Sequence, residues 1–593
     1  MHVRPGSETD PAANAGLVKG VFRISVLAGS LILWCVIAAV WGSVLAWRYR
    51  NFMNPDGISY LDMASEVLRS GPGALVNPHW SPLYPALIAI WEWLFRPPRF
   101  YEFQYVHALN AVLYLLAAVA FAYFIRQLTQ FRSAAARAVF VAFGFAVFFR
   151  YMNMDMTAFV ITPDLLVAAA AFVSAGLCLR ILRGEADWRT GLAFGAALAA
   201  GCFAKAVMLP AGIALLSIAW LWSPRTPSAR RVVLIAAAGM CLTYTPQIAL
   251  VSRRVGHFSL SETGRLNYLW WVNGKPFQGW TGISGRDAPA HGPRILADYP
   301  KTIEFGSPVP GTYPLWYDPA YWFAGVKTQL DLKGQLQVIN GSLKFYRSIF
   351  EDLRLPLEGL TALLILLYVR RRQPERTESL FLLWPIAVLS MYALVFTEPR
   401  YIAPFIVLFW TAAYSAVFPP AEESRILLAL VAVLMLATSA RQTISPDRKV
   451  VAPGNRDSPH IFLWMTPPPD NGPDQIAARE LNALGLTAGD AIATVGDGFA
   501  HFYARMARVR IVAEVVDAAS FWTLPPGAAA AIEQKLAATG AEALVAINRP
   551  KAFQSGLWHD IPGTTYSVLS LRHSTKSASR ADPGPAPGWR LPK

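Results

Sequence analysis

Long apolar runs recur through the first three quarters of the chain and leave little choice of fold. The stretch Ile24–Trp47, for example, contains no Asp, Glu, Lys or Arg. An apolar run of about 20 residues crosses the hydrocarbon core of a bilayer as a helix. Lipid offers no hydrogen-bond partners, so each run must pair its backbone groups within its own helix. The sequence therefore predicts a polytopic α-helical membrane protein.

About eleven such runs are predicted to cross the membrane, counting apolar segments of spanning length. They lie at about 24–46, 103–125, 134–150, 163–182, 190–204, 206–222, 232–251, 356–369, 379–397, 401–418 and 425–440. Two shorter apolar segments, 58–68 and 82–95, fall between the first two runs and are predicted to lie in the membrane interface.

Positive charge is distributed unevenly along the chain, which carries 53 Lys and Arg against 38 Asp and Glu. The arginines cluster in short connections that fall on one membrane face if the N-terminus is cytoplasmic, as the positive-inside rule expects. They are Arg126, Arg132, Arg137, Arg183, Arg189, Arg225, Arg230, Arg231, Arg370, Arg371, Arg372 and Arg376. This pattern explains the excess of positive charge, so nucleic-acid binding is not needed to account for it. The sequence also contains no recognised nucleic-acid-binding motif.

The remaining segments divide into loops, tails and one further domain. With the N-terminus cytoplasmic, the loops 48–101 and 252–355 are outer loops of a membrane domain over 21–440. Residues 441–573 alternate helical and strand patterns, which predicts a soluble α/β domain with a parallel sheet, also on the outer face. The polar ends, 1–20 and 574–593, are predicted to be disordered. We expect an integral protein of the bacterial inner membrane, with its C-terminal domain in the periplasm.

Acidic residues in the first outer loop are the first candidates for chemistry. Asp56 follows the first span directly, Tyr60 comes one helical turn later, and Asp62 follows that. Acidic groups near a membrane are uncommon unless they are solvated or functional. An acid that simply favours the positive end of a helix dipole would explain Asp56 equally well.

This arrangement, followed by Trp80-Ser81-Pro82-Leu83 before the second span, resembles the GT-C glycosyltransferases. The resemblance is to the group of dolichyl-phosphate-mannose–protein mannosyltransferases and aminoarabinose transferases. It implies a polyprenyl-phosphate sugar donor, an outer-face site and a catalytic aspartate at the position of Asp56. Many members have a second acidic residue next to it. Here that position is Gly57, which leaves Asp62 as a substitute, and no metal or other cofactor is predicted.

Cations are needed to stabilise a lipid phosphate as it leaves. Lys205, Arg400 and Arg265 lie at or near the outer ends of spans and are the candidates for binding the donor phosphate. Long basic side chains that reach for the interface are the alternative explanation. Asp155 and Asp164 flank the second outer loop and, with Tyr60, are candidates for positioning the acceptor. For Asp164, helix capping is the competing role.

The function predicted from sequence is therefore a membrane glycosyltransferase, transferring a hexose or pentose to a hydroxyl of a glycan, lipid or protein acceptor. A transporter or flippase for a lipid-linked sugar is the first alternative, although the two halves of the chain show no repeat of the kind that transporters often have. A non-catalytic membrane scaffold is the second. The position of the acidic residues at the outer interface, not at the midplane, also argues against a transporter. The convergence of Asp56, Lys205 and Arg400 on one membrane face is the argument against a scaffold.

Overall fold

The computed structural model divides into two compact units. The first comprises Met1–His291 and Asp318–Pro469, and the second comprises Gly292–Tyr317 and Asp470–Lys593. The structure describes residues 11–153, 160–276, 288–351, 376–417, 472–496, 498–500, 502–553 and 558–572, with isolated helical positions between 429 and 437.

The first unit is helical. Its principal helices are α1 (Pro11–Arg48), α2 (Pro55–Ser70), α3 (Leu83–Phe95), α4 (Glu102–Thr129), α5 (Ala134–Met152), α6 (Asp164–Leu182), α7 (Trp188–Ala204), α8 (Met208–Trp222), α9 (Pro227–Val255), α10 (Thr263–Asn267), α11 (Leu332–Glu351), α12 (Arg376–Phe381), α13 (Leu383–Val395) and α14 (Pro399–Val417). A π-helical turn, Tyr268–Val272, follows α10, and a single helical turn covers Pro319–Trp322.

Within the described residues, five helices are long and apolar enough to cross a membrane. They are α1 from Leu27 onward, α4 with the turn before it, α5, α6 and α9. These helices fit a helical membrane protein, and they coincide with apolar runs of the sequence. The predicted span at 356–369 and most of that at 425–440 lie outside the described residues, as do 1–10 and 573–593.

Helix α1 begins earlier than the apolar pattern suggested. The sequence analysis assigned residues 1–20 to a disordered tail, whereas the helix begins at Pro11. Proline suits the first position of a helix, because its missing N–H would have no partner there. The alanine-rich stretch that follows can extend the helix before the apolar run starts. The part of the tail from residue 11 is therefore helical.

Close contact with α9 positions the N-terminal half of α7. A Cβ added at Gly195 would lie 2.6 Å from the backbone oxygen of Ala236, and one at Gly191 would lie 2.7 Å from that of Val232. Real Cβ atoms do not come so close, so only glycine lets the two backbones approach this far. This packing fixes α7, the helix that Lys205 directly follows, against α9.

The second unit contains a seven-stranded mixed sheet. Its strands are β1 (Arg294–Ala297), β2 (Thr302–Glu304), β3 (Ala491–Val495), β4 (Arg510–Val515), β5 (Ala543–Ile547), β6 (His559–Asp560) and β7 (Tyr566–Ser570). Its helices are α15 (Pro473–Ala483), α16 (Tyr503–Ala507) and α17 (Pro526–Ala537), with single turns at Pro314–Tyr317 and Ala518–Phe521. The strand order is β1-β2-β4-β3-β5-β7-β6.

The strands β4, β3 and β5 run parallel, as the alternating pattern predicted, and β7 pairs antiparallel with β5. Helical crossovers join β3 to β4 and β4 to β5, which is how parallel neighbours are normally connected. The core of this unit gathers apolar side chains from these strands and from α17, among them Val512, Leu544, Ile532 and Leu536.

Two strands of this sheet come from the loop between α10 and α11. Strand β2 pairs antiparallel with β4, so that Ile303 lies opposite Glu514, and β1 pairs with β2 at the edge. The backbone N–H of Phe305 also donates to the carbonyl of Val512 at 2.8 Å. The sequence analysis assigned the whole loop 252–355 to the membrane domain and treated 441–573 as a complete domain. The structure instead places Gly292–Tyr317 in the second unit.

Candidate active site

Four breaks between helices bring charged side chains together in the first unit. Asp56 lies in the first turn of α2, Asp164 begins α6, Arg400 lies in the first turn of α14, and Lys205 directly follows α7. Helix starts favour acidic side chains because the unpaired N–H groups there carry partial positive charge. The sequence therefore places Asp56 and Asp164 where ionised carboxylates are stabilised locally.

Prolines set three of these helix starts. Pro55 and Pro399 are the first residues of α2 and α14, and Pro163 directly precedes α6. The Asn54 side chain then accepts a hydrogen bond from the backbone N–H of Ile161 at 2.9 Å. This bond ties the start of α2 to the segment that leads into α6, and so brings the two aspartates towards each other.

Arg400 lies at the centre of the charged group. Its Nη2 donates to Asp56 Oδ2 at 3.1 Å, and to the hydroxyl of Tyr401 at 3.2 Å. Its Nε pairs with the Glu398 carboxylate and lies 3.9 Å from Asp164 Oδ2. Three carboxylates thus surround one guanidinium. Within the described part of the chain, Nη1 of Arg400 has no hydrogen-bond partner, which leaves one edge of the fork open.

Lys205 extends the same group. Its Nζ donates to Asp164 Oδ1 at 2.7 Å and lies 3.4 Å from the centre of the Tyr401 ring. The Thr162 hydroxyl donates to the other oxygen, Asp164 Oδ2, at 2.8 Å. Asp164 has a side-chain exposure of only 2%. A buried carboxylate needs partners on both oxygens, and Lys205, Thr162 and Arg400 supply them.

Tyr60 lies beneath this group and does not act as an acid or base. Its ring packs edge-on against Trp80 and Tyr84, with ring centres 5.1 and 5.2 Å away. Burial, and then the nearby Asp56 and Asp164 carboxylates, raise the pKa of Tyr60 well above its usual range, so it stays neutral. This packing supports the start of α2 and hence the position of Asp56.

His79 lies in the same aromatic layer and gives a testable pH dependence. Its ring is 4.4 Å from that of Trp80 and 5.7 Å from that of Trp270. Burial lowers the pKa of His79 to about 4, although the Asp56 carboxylate opposes the change. Since the ordinary value is about 6.5, folding stability should be complete above pH 6.5 and decline as the pH falls towards 4, by at most about 3 kcal/mol.

We expect His79→Phe to flatten this acid decline, because the neutral ring cannot take up a proton. The check is the melting temperature of the detergent-solubilised protein between pH 4 and 7, with the exposed His257→Phe as control. An unchanged slope in His79→Phe would show that another group causes the acid sensitivity.

Two residues predicted from sequence, Asp62 and Arg265, are not among the partners of Arg400. Asp62 lies six residues after Asp56 on α2, which at 100° per residue puts the two side chains about 120° apart around the helix, on different faces. Arg265 pairs with Glu262 and donates to the carbonyl of Val326 at 2.7 Å, outside the charged group. Asp155 lies outside the described residues.

Glu398, Tyr401 and Thr162 contribute to the group although the sequence analysis gave them no role. The signal for two of them was present, because Glu398-Pro399-Arg400-Tyr401 stands between two apolar runs. Thr162 carried no such signal, since a hydroxyl two residues before an aspartate is common in helix caps. Among the described residues, no three His, Cys, Asp or Glu side chains form a group that could hold a metal ion.

Comparison with known proteins finds likeness at the level of structure. No family model matches the chain, and no curated protein matches it. It is similar to the crystal structure of ArnT from Cupriavidus metallidurans bound to undecaprenyl phosphate. The TM-score is 0.48 at 15% identity, over 92% of this chain and 98% of that one.

The chain is also similar to the oligosaccharyltransferase AglB from Archaeoglobus fulgidus, solved with an inhibitory peptide and a dolichol-phosphate. That TM-score is 0.41 at 12% identity, over 89% of this chain and 70% of that one. Both are GT-C glycosyltransferases, the group that the motif around Asp56 resembles. Likeness of this degree assigns no residue of this chain a role.

Proposed function

We propose that this protein is a membrane glycosyltransferase that moves a sugar from a polyprenyl-phosphate donor to an acceptor hydroxyl, with Asp56 as general base. The observation that carries the proposal is a chain of three ion pairs. Arg400 pairs with Asp56 and also lies near Asp164, and Asp164 pairs with Lys205. A base and two cations beside one another are what this reaction needs. A scaffold would have no use for such a group.

In the proposed reaction, a carboxylate oxygen of Asp56 takes the proton from the acceptor hydroxyl. The acceptor oxygen forms a bond to the anomeric carbon of the sugar. The bond from that carbon to the phosphate oxygen breaks, and its electron pair leaves with the lipid phosphate. A positioned general base of this kind acts within hydrogen-bond reach of the proton that it removes.

Arg400 and Lys205 would stabilise the charge that develops on the leaving phosphate. The open Nη1 edge of Arg400 offers two N–H donors, and guanidinium groups bind phosphate oxygens in this forked manner. When a phosphate takes up part of the guanidinium, the hold of Arg400 on Asp56 weakens. Asp56 then becomes a better proton acceptor once the donor is in place, which couples donor binding to catalysis.

The proposed membrane topology and location rest on the sequence. We propose about eleven spans in a bacterial inner membrane, the number of runs long enough to cross it. The site would then face the periplasm, because the helix starts that carry Asp56 and Asp164 are the ends away from the arginine-rich connections. The α/β unit would be a soluble domain on the same side, with a role in acceptor or partner binding.

The test of this function is a comparison of surface glycans, by mass spectrometry, in cells with and without the gene. We expect one glycan to lose a single sugar and to regain it when the wild-type gene is restored. Purified protein in lipid nanodiscs should then transfer that sugar from a polyprenyl-phosphate carrier. Movement of the carrier across the bilayer without sugar transfer would instead favour a flippase.

Lys205 gives a prediction about donor binding. Its ammonium group is 2.7 Å from Asp164 and can still reach a neighbouring anion. A hydrogen bond to a charged group contributes about 1.5–3 kcal/mol, so Lys205→Met should raise the KM for the donor by about 10- to 100-fold. The KM for the acceptor should change little. Steady-state kinetics with each substrate varied in turn provide the measurement.

Two comparisons sharpen the result for Lys205. Lys205→Arg keeps the charge and should retain most of the donor affinity. Lys344→Met removes an equivalent charge from the exposed face of α11 and should leave both KM values unchanged. Equal increases in the donor and acceptor KM would contradict a phosphate role for Lys205.

A further inference from the structure

The five side chains of the charged group around Arg400 include more carboxylates than cations. The contacts described above join three carboxylates, those of Asp56, Asp164 and Glu398, to two cations, Lys205 and Arg400. These five side chains therefore carry one negative charge in excess. A site that binds an anion would bind it more tightly without that excess, so the third carboxylate needs an explanation.

Glu398 is the carboxylate that can be removed without loss of any other ion pair in the charged group. Asp56 is the proposed base, and Asp164 is buried between both cations. The Glu398 side chain contacts Arg400 alone among the described residues, and 22% of it is exposed. Its backbone carbonyl separately accepts hydrogen bonds from the N–H groups of Tyr401 and Ile402 at 3.0 and 3.3 Å, so the helix start does not depend on the carboxylate.

The two lipids that occupy the site in the proposed reaction differ in charge. The donor is a phosphodiester and carries one negative charge. The spent carrier is a phosphomonoester, whose second pKa near 6 gives it about 1.5 to 2 negative charges at pH 7. Excess negative charge in the site therefore repels the spent carrier more strongly than it repels the donor.

We propose that Glu398 is a positioning residue that holds Arg400 by its Nε edge and, through its charge, prevents the spent polyprenyl phosphate from remaining bound. The inference rests on the proposed function, because it assigns the donor and the product to the same site. It explains why a phosphate site keeps a third carboxylate. The carboxylate weakens binding of the donor, but it weakens binding of the more negative product further, so the product is released.

The size of the effect follows from Coulomb's law. Consider a unit charge that lies several ångströms from a bound phosphate in a partly exposed site. Deleting that charge changes the dissociation constant by about tenfold for each charge on the ligand. Glu398→Gln can keep the hydrogen bond from Arg400 Nε while removing the charge. The substitution should lower the dissociation constant of a singly negative ligand by about tenfold. For a doubly negative ligand the decrease should be larger by up to about another tenfold.

The experiment measures binding of two probes to the full-length protein in nanodiscs at pH 8. One probe is undecaprenyl phosphate, and the other is its methyl ester, a phosphodiester with a single charge. We expect Glu398→Gln to shift the ratio of the two dissociation constants by about tenfold in favour of undecaprenyl phosphate. In turnover, the same variant should show stronger inhibition by the spent carrier and a lower kcat together with a lower donor KM.

Control variants separate charge from structure. Glu398→Asp keeps the charge and should keep the wild-type ratio. Glu66→Gln removes a carboxylate that pairs with Arg69, ten residues and about 15 Å along α2 from Asp56, and should leave the ratio unchanged. Should Glu398→Gln fail to fold, Glu398→Ser makes the same charge change with a smaller side chain.

An unchanged ratio in a folded Glu398→Gln protein would overturn the inference, as would equal weakening of both probes, which is the result expected of a purely structural ion pair. The proposed function fails in a different way. If wild type binds both probes and the ratio shifts, but no sugar is transferred from any carrier, the charge effect stands and the enzymatic activity does not.

Discussion

Replacing Asp56 with Asn is expected to slow sugar transfer by about 10²- to 10⁴-fold, the usual effect of removing a general base. Asparagine has the same size and retains an oxygen that can accept from Arg400 Nη2, so the start of α2 should keep its structure. The amide cannot take the acceptor proton. The expected result is therefore a folded protein that binds the donor with near-normal affinity and turns it over slowly.

The measurement is transfer from a polyprenyl-phosphate donor by purified protein, with melting temperatures to confirm folding. Asp62→Asn is the matched comparison, because it makes the same change on a different face of the same helix. A folded Asp56→Asn protein with normal turnover would falsify the assignment. Loss of turnover in Asp62→Asn alone would make Asp62 the base. A small loss of stability without loss of rate would indicate that Asp56 only serves the helix dipole.

Ile303→Asp is expected to destabilise the α/β unit, although position 303 lies in the loop between α10 and α11 of the first unit. Ile303 is 1% exposed and lies on β2, paired on one side with β1 and on the other with β4. An unpaired charge buried there costs several kcal/mol. We expect β4 and its neighbours to lose protection, since β2 covers the edge of the sheet.

Hydrogen exchange followed by mass spectrometry can test this at peptides covering 510–515. Protection there should fall markedly in Ile303→Asp and should change little in Ile295→Asp. Ile295 makes the matched control because it lies on β1 of the same hairpin but is 51% exposed. Equal effects of the two substitutions, or an effect confined to the loop itself, would contradict the two-piece sheet.

The five helices of spanning length in the first unit could be predicted because their signal is local. Each depends on a long apolar run, and such a run has one stable backbone conformation in lipid. Part of the charged group could be predicted for a related reason. Asp56, Asp164, Lys205 and Arg400 all stand at ends of apolar runs that the positive-inside rule assigns to one membrane face, and helix ends on one face are often neighbours.

The remaining features depend on partners that are distant in sequence. Strand β2 has only three residues and becomes a strand by pairing with β4, more than two hundred residues later in the chain. A strand so short has no periodicity of its own. The position of Arg265 depends on a distant partner in the same way, since its guanidinium donates to the carbonyl of Val326, 61 residues later in the chain. Proximity to the interface did not distinguish Arg265 from Arg400.

The shared sheet also constrains how the protein is made. Strands of one sheet occupy one aqueous compartment, so the chain must cross the membrane an even number of times between Tyr317 and Asp470. During synthesis, β1 and β2 emerge long before β4, and the edge of β2 has no partner until β4 has been made. Throughout that interval the hairpin is an open template for foreign strands. If translation stops before Arg510, the edge of β2 stays unpaired permanently. The C-terminal segment is therefore required for the folding of a loop that precedes it in the chain.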